Sequence, residues 1–260
     1  MKGGVLPCLT PLMENYGPST YGDRIAEVYD ELYGHMADVS GVVDLLAELA
    51  DKGRALELGV GTGRVALPLA AAGVTVEGVD ASEAMVARLR EKPGGADIPV
   101  SLGNFADVAV EGTFRLIYIP FTTFFALTSQ EEQIRCLRNV AAHLDDHGWF
   151  VMDAWVPDPT RYRNQQAVSV TQVAADHVVL DATLHDPVTQ TIRSSHVVMT
   201  DAGLRLYPVF ARYAWPAELD AMALASGLVL VDRFGGYDRR PFDASSPRHV
   251  SVYRLRSAST

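Results

Sequence analysis

Apolar residues change their spacing several times along this chain of 260 residues. Between 39 and 50 they recur at helical intervals, with Val42, Leu45, Leu46 and Leu49 on one face. From 55 onward, short apolar runs alternate with amphipathic stretches. The runs predict strands at 55–58, 75–79, 98–102, 114–119 and 148–154, and the stretches predict helices at 63–72, 83–91 and 130–144. Strands that alternate with helices imply an α/β fold with a parallel, doubly wound sheet. Such a sheet carries its ligand at the carboxyl ends of the strands.

From 165 to 213 the period shortens to two. Segments 166–173, 177–184, 191–199 and 204–213 read as successive antiparallel strands joined by hairpin-length connections, a small sheet inserted after the fifth strand. Pro216 then opens a helix to Ser226, and strands follow at 228–234 and 250–256. At the other end, Pro7, Pro11 and Pro18 mark an irregular start, and Tyr21, Tyr29 and Tyr33 come next. The expected organisation is an N-terminal arm or lid over 1–38, a core formed by 39–156 and 214–260, and an antiparallel insertion over 157–213 that covers the site.

The chemistry concentrates where the first strand ends. Residues 55–63 read Ala-Leu-Glu-Leu-Gly-Val-Gly-Thr-Gly, a short apolar strand running into a loop with glycine at every second position. Glycine lets backbone approach a bound cofactor closely. The dinucleotide fingerprint G-x-G-x-x-G wants its third glycine where this chain has Arg64, so the spacing here is G-x-G-x-G. The second strand, Thr75-Val-Glu-Gly-Val79, ends in Asp80, about as far downstream as a carboxylate that meets ribose hydroxyls. These features point to an adenosine with a free ribose and away from a pyrophosphate.

Glu57-Leu-Gly-Val-Gly-Thr-Gly63 followed by Gly78-Val-Asp80-Ala-Ser82-Glu-Ala-Met85 resembles motifs I and II of the class I S-adenosylmethionine-dependent methyltransferases. The resemblance covers 39–156 well and fits the closing elements at 215–256. It implies a seven-stranded Rossmann-like sheet, S-adenosylmethionine as methyl donor and S-adenosylhomocysteine as product. The insertion and the tyrosine-rich arm resemble the small-molecule subgroup that methylates sugar amines and glycine. By this resemblance Gly59, Gly61 and Gly63 approach the methionyl portion, Glu57 faces its ammonium group, and Asp80 accepts from both ribose hydroxyls. Ala81 and Met85 pack on the adenine, and Phe105 borders it. Asn104 stands where many relatives have Asp beside the adenine amino group, and its side-chain carbonyl can accept the same hydrogen bond.

Strand four ends Ile119-Pro-Phe-Thr-Thr-Phe-Phe125, a segment that lies under the transferring methyl in this family. Pro120 and Phe121 are therefore expected at the cofactor, together with Tyr21 and Tyr29 of the arm. Thr122, Phe124, Trp155, His185 and His196 are expected at the acceptor. If the acceptor must lose a proton, His185 and His196 are the candidate bases. His196, with Tyr21 and Tyr33 as orienting phenols, forms the expected catalytic group. No Asn/Asp-Pro-Pro-Tyr/Phe motif ends strand four, which weighs against adenine or glutamine as acceptor.

Charge and cysteine content narrow the reading further. A net charge of −10 argues against binding a phosphate backbone. Cys8 and Cys136 supply neither a disulfide framework nor a thiolate cluster. His143 and His147 stand four apart, as two zinc ligands on a helix would. Asp145 and Asp146 lie between them in place of a metalloprotease glutamate, and no metal is expected. No secretory leader or membrane span is visible, so the chain reads as cytoplasmic, and exposed strand edges in the insertion leave a homodimer open. The function expected is a small-molecule methyltransferase in natural-product tailoring, with nitrogen favoured over aromatic carbon or oxygen. The alternatives are a non-catalytic S-adenosylmethionine-binding partner module and, third, an NAD-dependent dehydrogenase. Replacing Asp80 by Ala should weaken cofactor binding by about 1.5–3 kcal/mol in a calorimetric titration, because it removes charge-assisted hydrogen bonds. Unchanged affinity would mean that the ribose is held elsewhere.

Overall fold

In the computed structural model, which describes residues 16–34 and 39–256, the apolar run at Arg54–Leu58 forms strand β1. It pairs in parallel with β2 (Thr75–Asp80) on one side and with β4 (Phe114–Ile119) on the other. With β3 (Val100–Leu102), β5 (Leu144–Trp155), β10 (Leu228–Phe234) and β11 (Arg248–Leu255) they make a seven-stranded sheet ordered β10-β11-β5-β4-β1-β2-β3. Strand β11 runs antiparallel to both of its neighbours.

The central strands are apolar almost throughout because both of their faces are buried. Leu56, Leu58, Ile117, Ile119, Phe150 and Met152 pack on one side with α6 (Gln130–His143) and α7 (Pro216–Ala225). Ala55, Leu116, Tyr118 and Val151 alternate to the other side. There they meet α3 (Ser40–Ala50), α4 (Ala66–Ala71) and α5 (Glu83–Arg90). This is the doubly wound sheet that the alternation of strands and helices implies.

Two boundaries differ from the sequence expectation. The helix expected at 63–72 starts at Ala66. Pro68 has no N–H to donate and fits only in a first helical turn, so the glycine loop continues through Val65. The strand expected at 148 starts at Leu144, immediately after α6 ends at His143. His147 therefore lies off the helix, and the two histidines do not share a helical face. The His143 ring instead bonds the Asn139 and Val110 carbonyls.

Strands β6 (Gln166–Val173), β7 (His177–Asp186), β8 (Thr191–Thr200) and β9 (Gly203–Arg212) form a separate antiparallel sheet in sequence order. Arg212 anchors it to the large sheet's helices, bonding Gln133 of α6 at 2.6 Å and Glu218 of α7 at 2.7 Å. The described part of the arm carries two short helices, α1 (Thr20–Ile25) and α2 (Tyr29–Tyr33). Ile25 and Ala26 pack between Met85 of α5 and Tyr207 of β9, so the arm joins the two sheets. Pro7, Pro11 and Cys8 lie outside the described residues, whereas Cys136 is buried in the core.

Gly63 marks the tightest packing of the glycine loop. Its φ is +80°, and a Cβ there would sit 2.3 Å from Leu89 Cδ1. Gly63→Ala should therefore destabilise the fold by about 1–3 kcal/mol in urea unfolding. A variant as stable as the parent would show that Leu89 moves freely.

Candidate active site

The loops that follow β1, β2, β3 and β4 converge at the carboxyl edge of the large sheet, where α1 and α2 roof a cavity of about 220 Å³. Of the residues expected at the cofactor, Tyr21, Tyr29, Glu57, Gly59, Gly61, Asp80, Ala81, Met85, Asn104, Phe105, Pro120 and Phe121 line it. Gly63 does not; it is spent on packing against Leu67 and Leu89.

Asp80 is held from both sides. Its carboxylate accepts the Gly61 N–H at 2.7 Å and the Ser82 N–H at 2.8 Å. Burial raises its pKa, and those backbone donors pull it back. Ser82 also caps α5 by accepting the Met85 N–H, and its hydroxyl donates to Asp23 of the arm at 2.7 Å. A second acid of the arm, Asp30, accepts from the Thr62 hydroxyl and pairs with Lys92, each at 2.7 Å. The arm is thus fastened to both cofactor loops.

Glu57 is 3% exposed and accepts the Tyr118 hydroxyl at 2.8 Å. Burial pushes its pKa up to about 8, with Asp80 adding to the rise and the Tyr118 hydroxyl and Ala66 N–H opposing it. Arg64 lines the same cavity. Its guanidinium lies 4.3 Å over the Phe121 ring, and its Nη2 is buried without a hydrogen-bond partner. A carboxylate that disfavours its own charge and an orphaned guanidinium nitrogen on one cavity suit a zwitterion: an ammonium for Glu57 and a carboxylate for Arg64.

At the far end, the Asn104 carbonyl oxygen already accepts the Ala106 N–H at 2.9 Å. Glu132, at the start of α6, lies beside it and accepts from the Thr128 N–H and hydroxyl. Nothing in the sequence singled out Glu132, whose acid is unremarkable in a first helical turn. Arg64 was noticed only as a missing glycine.

The residues expected at the acceptor separate into two groups. His196 and Tyr33 do not line the cavity themselves but pack against Tyr21, which does. The Tyr21 hydroxyl donates to Tyr33 at 3.3 Å, and the His196 ring meets both phenols edge-on at 6.5 and 6.3 Å. Asp181, directly across the β7–β8 pair, bonds His196 Nδ1. The cross-strand register of the hairpin could have revealed this partner. Trp155, His185 and Phe124 are not brought to the cavity. Trp155 packs on Phe125 and Tyr213, His185 is buried between Tyr162 and the Tyr213 hydroxyl, and Phe124 is fully buried in the core. Their aromatic surface is worth more in packing than at an open wall. Thr122 does not line the cavity either, whereas its neighbour Thr123 does.

Comparisons with known proteins identify the family. Residues 55–148 match the family model described as a methyltransferase domain. The chain is 31% identical over 238 residues to the Cypemycin N-terminal methyltransferase of a Streptomyces species, covering 90% of this chain and 97% of that protein. The chain belongs to the class I S-adenosylmethionine-dependent methyltransferases.

The CcbJ methyltransferase from Streptomyces caelestis is similar in structure, with a TM-score of 0.86 and 41% identity, over 93% of this chain and 100% of that one. The fold is also shared with S-adenosylmethionine-bound CalS10 from Micromonospora echinaspora. That amino pentose methyltransferase is 23% identical with a TM-score of 0.67, over 88% of this chain and 97% of that one. S-adenosylmethionine is the cofactor of this methyltransferase, and the dehydrogenase and non-catalytic readings are set aside. Among the described residues there is no cluster of potential metal ligands and no helix long and apolar enough to cross a membrane.

The raised Glu57 pKa makes cofactor binding pH-dependent. Without cofactor, the acid is protonated in the fold and ionised in the unfolded chain between about pH 4.5 and 8, so its contribution to stability falls as pH rises through that window. A bound ammonium favours the ionised carboxylate. Binding of S-adenosylhomocysteine near neutral pH should therefore release a proton, and affinity should rise by up to about tenfold per pH unit below pH 8. Calorimetry in two buffers of different ionisation heat measures that proton. Glu57→Gln should bind without releasing it, and equal release by the variant would assign the proton to another group.

Proposed function

We propose that this methyltransferase transfers its methyl group to an amine nitrogen of a small acceptor, as a tailoring step in natural-product biosynthesis. The observation that carries this reading is the Asp181–His196 pair edge-on to the Tyr21 and Tyr33 rings, of which Tyr21 lines the cofactor cavity. The name of the Streptomyces relative, an N-terminal methyltransferase, supports nitrogen as the acceptor atom.

The cofactor, when bound, supplies an electrophilic methyl on a good leaving group. Most of the remaining barrier is lowered by positioning and by excluding water. Asp80 holds the ribose, Glu57 the ammonium and Arg64 the carboxylate, while the tyrosines of the arm close the roof. An amine reaches the site largely as its ammonium and must lose a proton before its lone pair can attack. Asp181 engages His196 Nδ1, which leaves Nε2 to take that proton. Burial raises the Tyr21 pKa well above its ordinary value, so the phenol stays neutral and serves to orient.

His196→Ala should lower kcat about 100-fold near neutral pH on an amine acceptor while leaving cofactor affinity unchanged, in line with the usual worth of a general base. The deficit should shrink as pH rises past the acceptor's own pKa, and Asp181→Asn should show a milder form of the same profile. A His196→Ala enzyme with full activity across that range would remove the histidine from the mechanism. Methylation of phenols but not amines in a matched acceptor panel would overturn the choice of nitrogen.

A further inference from the structure

We infer that Asp153 and Tyr237 form a positioning clamp. It holds the loop after β4, and through it Arg64, in the geometry that receives the cofactor's carboxylate. The inference rests on the assignment of Arg64 to that carboxylate.

Phe121 and Thr122 are consecutive non-glycine residues in left-handed conformations, with φ of +57° and +64°. Side chains disfavour this region, and two such residues in succession persist only where their surroundings over-determine them. The surroundings here do so. The Phe121 N–H donates to Asp153 Oδ1 at 2.5 Å, and the Tyr237 hydroxyl donates to the same oxygen at 2.7 Å. Asp153, near the end of β5, is only 1% exposed. An acid at that depth carries a desolvation cost that a purely structural core residue would not. Tyr237 arrives from the segment between β10 and β11, so the clamp ties the loop to an element more than a hundred residues away in sequence.

The loop in turn sets the cavity wall. Phe121 lines the cavity, and its ring is the platform on which the Arg64 guanidinium lies, 4.3 Å from the ring centroid. Stacking leaves Nη2 of that guanidinium buried and unpaired beside the cavity. If the clamp is loosened, Phe121 relaxes out of the left-handed region, the platform turns, and the guanidinium loses its direction. The adenosine half of the cofactor is held elsewhere, by Asp80 and the loops after β2 and β3, and does not depend on this device.

That separation supplies the test. S-adenosylhomocysteine carries the amino-acid end, whereas 5′-methylthioadenosine keeps the adenosine and sulfur but lacks that end. By calorimetry, Tyr237→Phe and Asp153→Ala should each weaken S-adenosylhomocysteine binding at least tenfold and change 5′-methylthioadenosine binding less than twofold. Arg64→Gln should show the same selectivity. Adding Tyr237→Phe to it should cost little more, because both changes act through one contact. Equal losses for the two ligands, or no loss for either, would overturn the clamp. So would full additivity of the double variant. Should Asp153→Ala fail to fold, Tyr237→Phe removes one hydroxyl from the clamp and decides the question by itself. Failure of the parent enzyme to bind S-adenosylhomocysteine at all would instead refute the cofactor assignment, and this inference with it.

Discussion

Three carboxylates stand at the carboxyl edge of one sheet: Glu57 on β1 and Asp153 near the end of β5, both buried, and Asp80, half-buried, at the end of β2. Burying negative charge is costly, and each acid is satisfied differently. Asp80 takes backbone N–H donors from two loops, and Asp153 takes a backbone N–H and a phenol. Glu57 takes a phenol and the Ala66 N–H but no cation, and burial lifts its pKa to about 8. Asp80 and Asp153 hold loops in place, and Glu57 lines the cavity with its pKa raised.

Everything around the cavity serves that edge. The glycine loop stays irregular through Val65 because Pro68 fits only in a first helical turn, and the Gly61 N–H within it reaches Asp80. The arm is fixed by its own acids, Asp23 and Asp30, to the loops after β2 and β1. Its opposite face packs on Tyr207 of the smaller sheet. Arg212 anchors that sheet from its other end. Cofactor loops, arm and antiparallel sheet are therefore joined, the loops to the arm by polar contacts and the arm to the sheet by apolar packing.

Much of this was legible in the sequence because it rests on local rules. Alternation of period 3.6 and period 2 gave the order of elements, and the glycine spacing with Asp80 pointed to the cofactor. What escaped were partners that distant strands bring together. Tyr118 is 61 residues from Glu57, and Tyr237 is 84 from Asp153. Arg64 stands where a third glycine is missing, yet one nitrogen of its guanidinium is buried without a hydrogen bond beside the cavity. Aromatic residues were the least legible. Phe121 and Phe124 sit three apart in one motif, yet one lines the cavity and the other is fully buried. Their identity reports large apolar area and says nothing of which side of a turn they occupy.

By itself, then, the sequence determined the doubly wound sheet, the position of the glycine loop and the chemical type of the cofactor, since each follows from spacing along a short stretch of chain. Tertiary structure decided which acid has its pKa pushed up to about 8, which guanidinium nitrogen is buried without a hydrogen bond, and which histidine acquires a carboxylate. Those properties depend on burial and on neighbours tens of residues away. A pKa or an unpaired donor belongs to a place in the fold, and only folding creates that place.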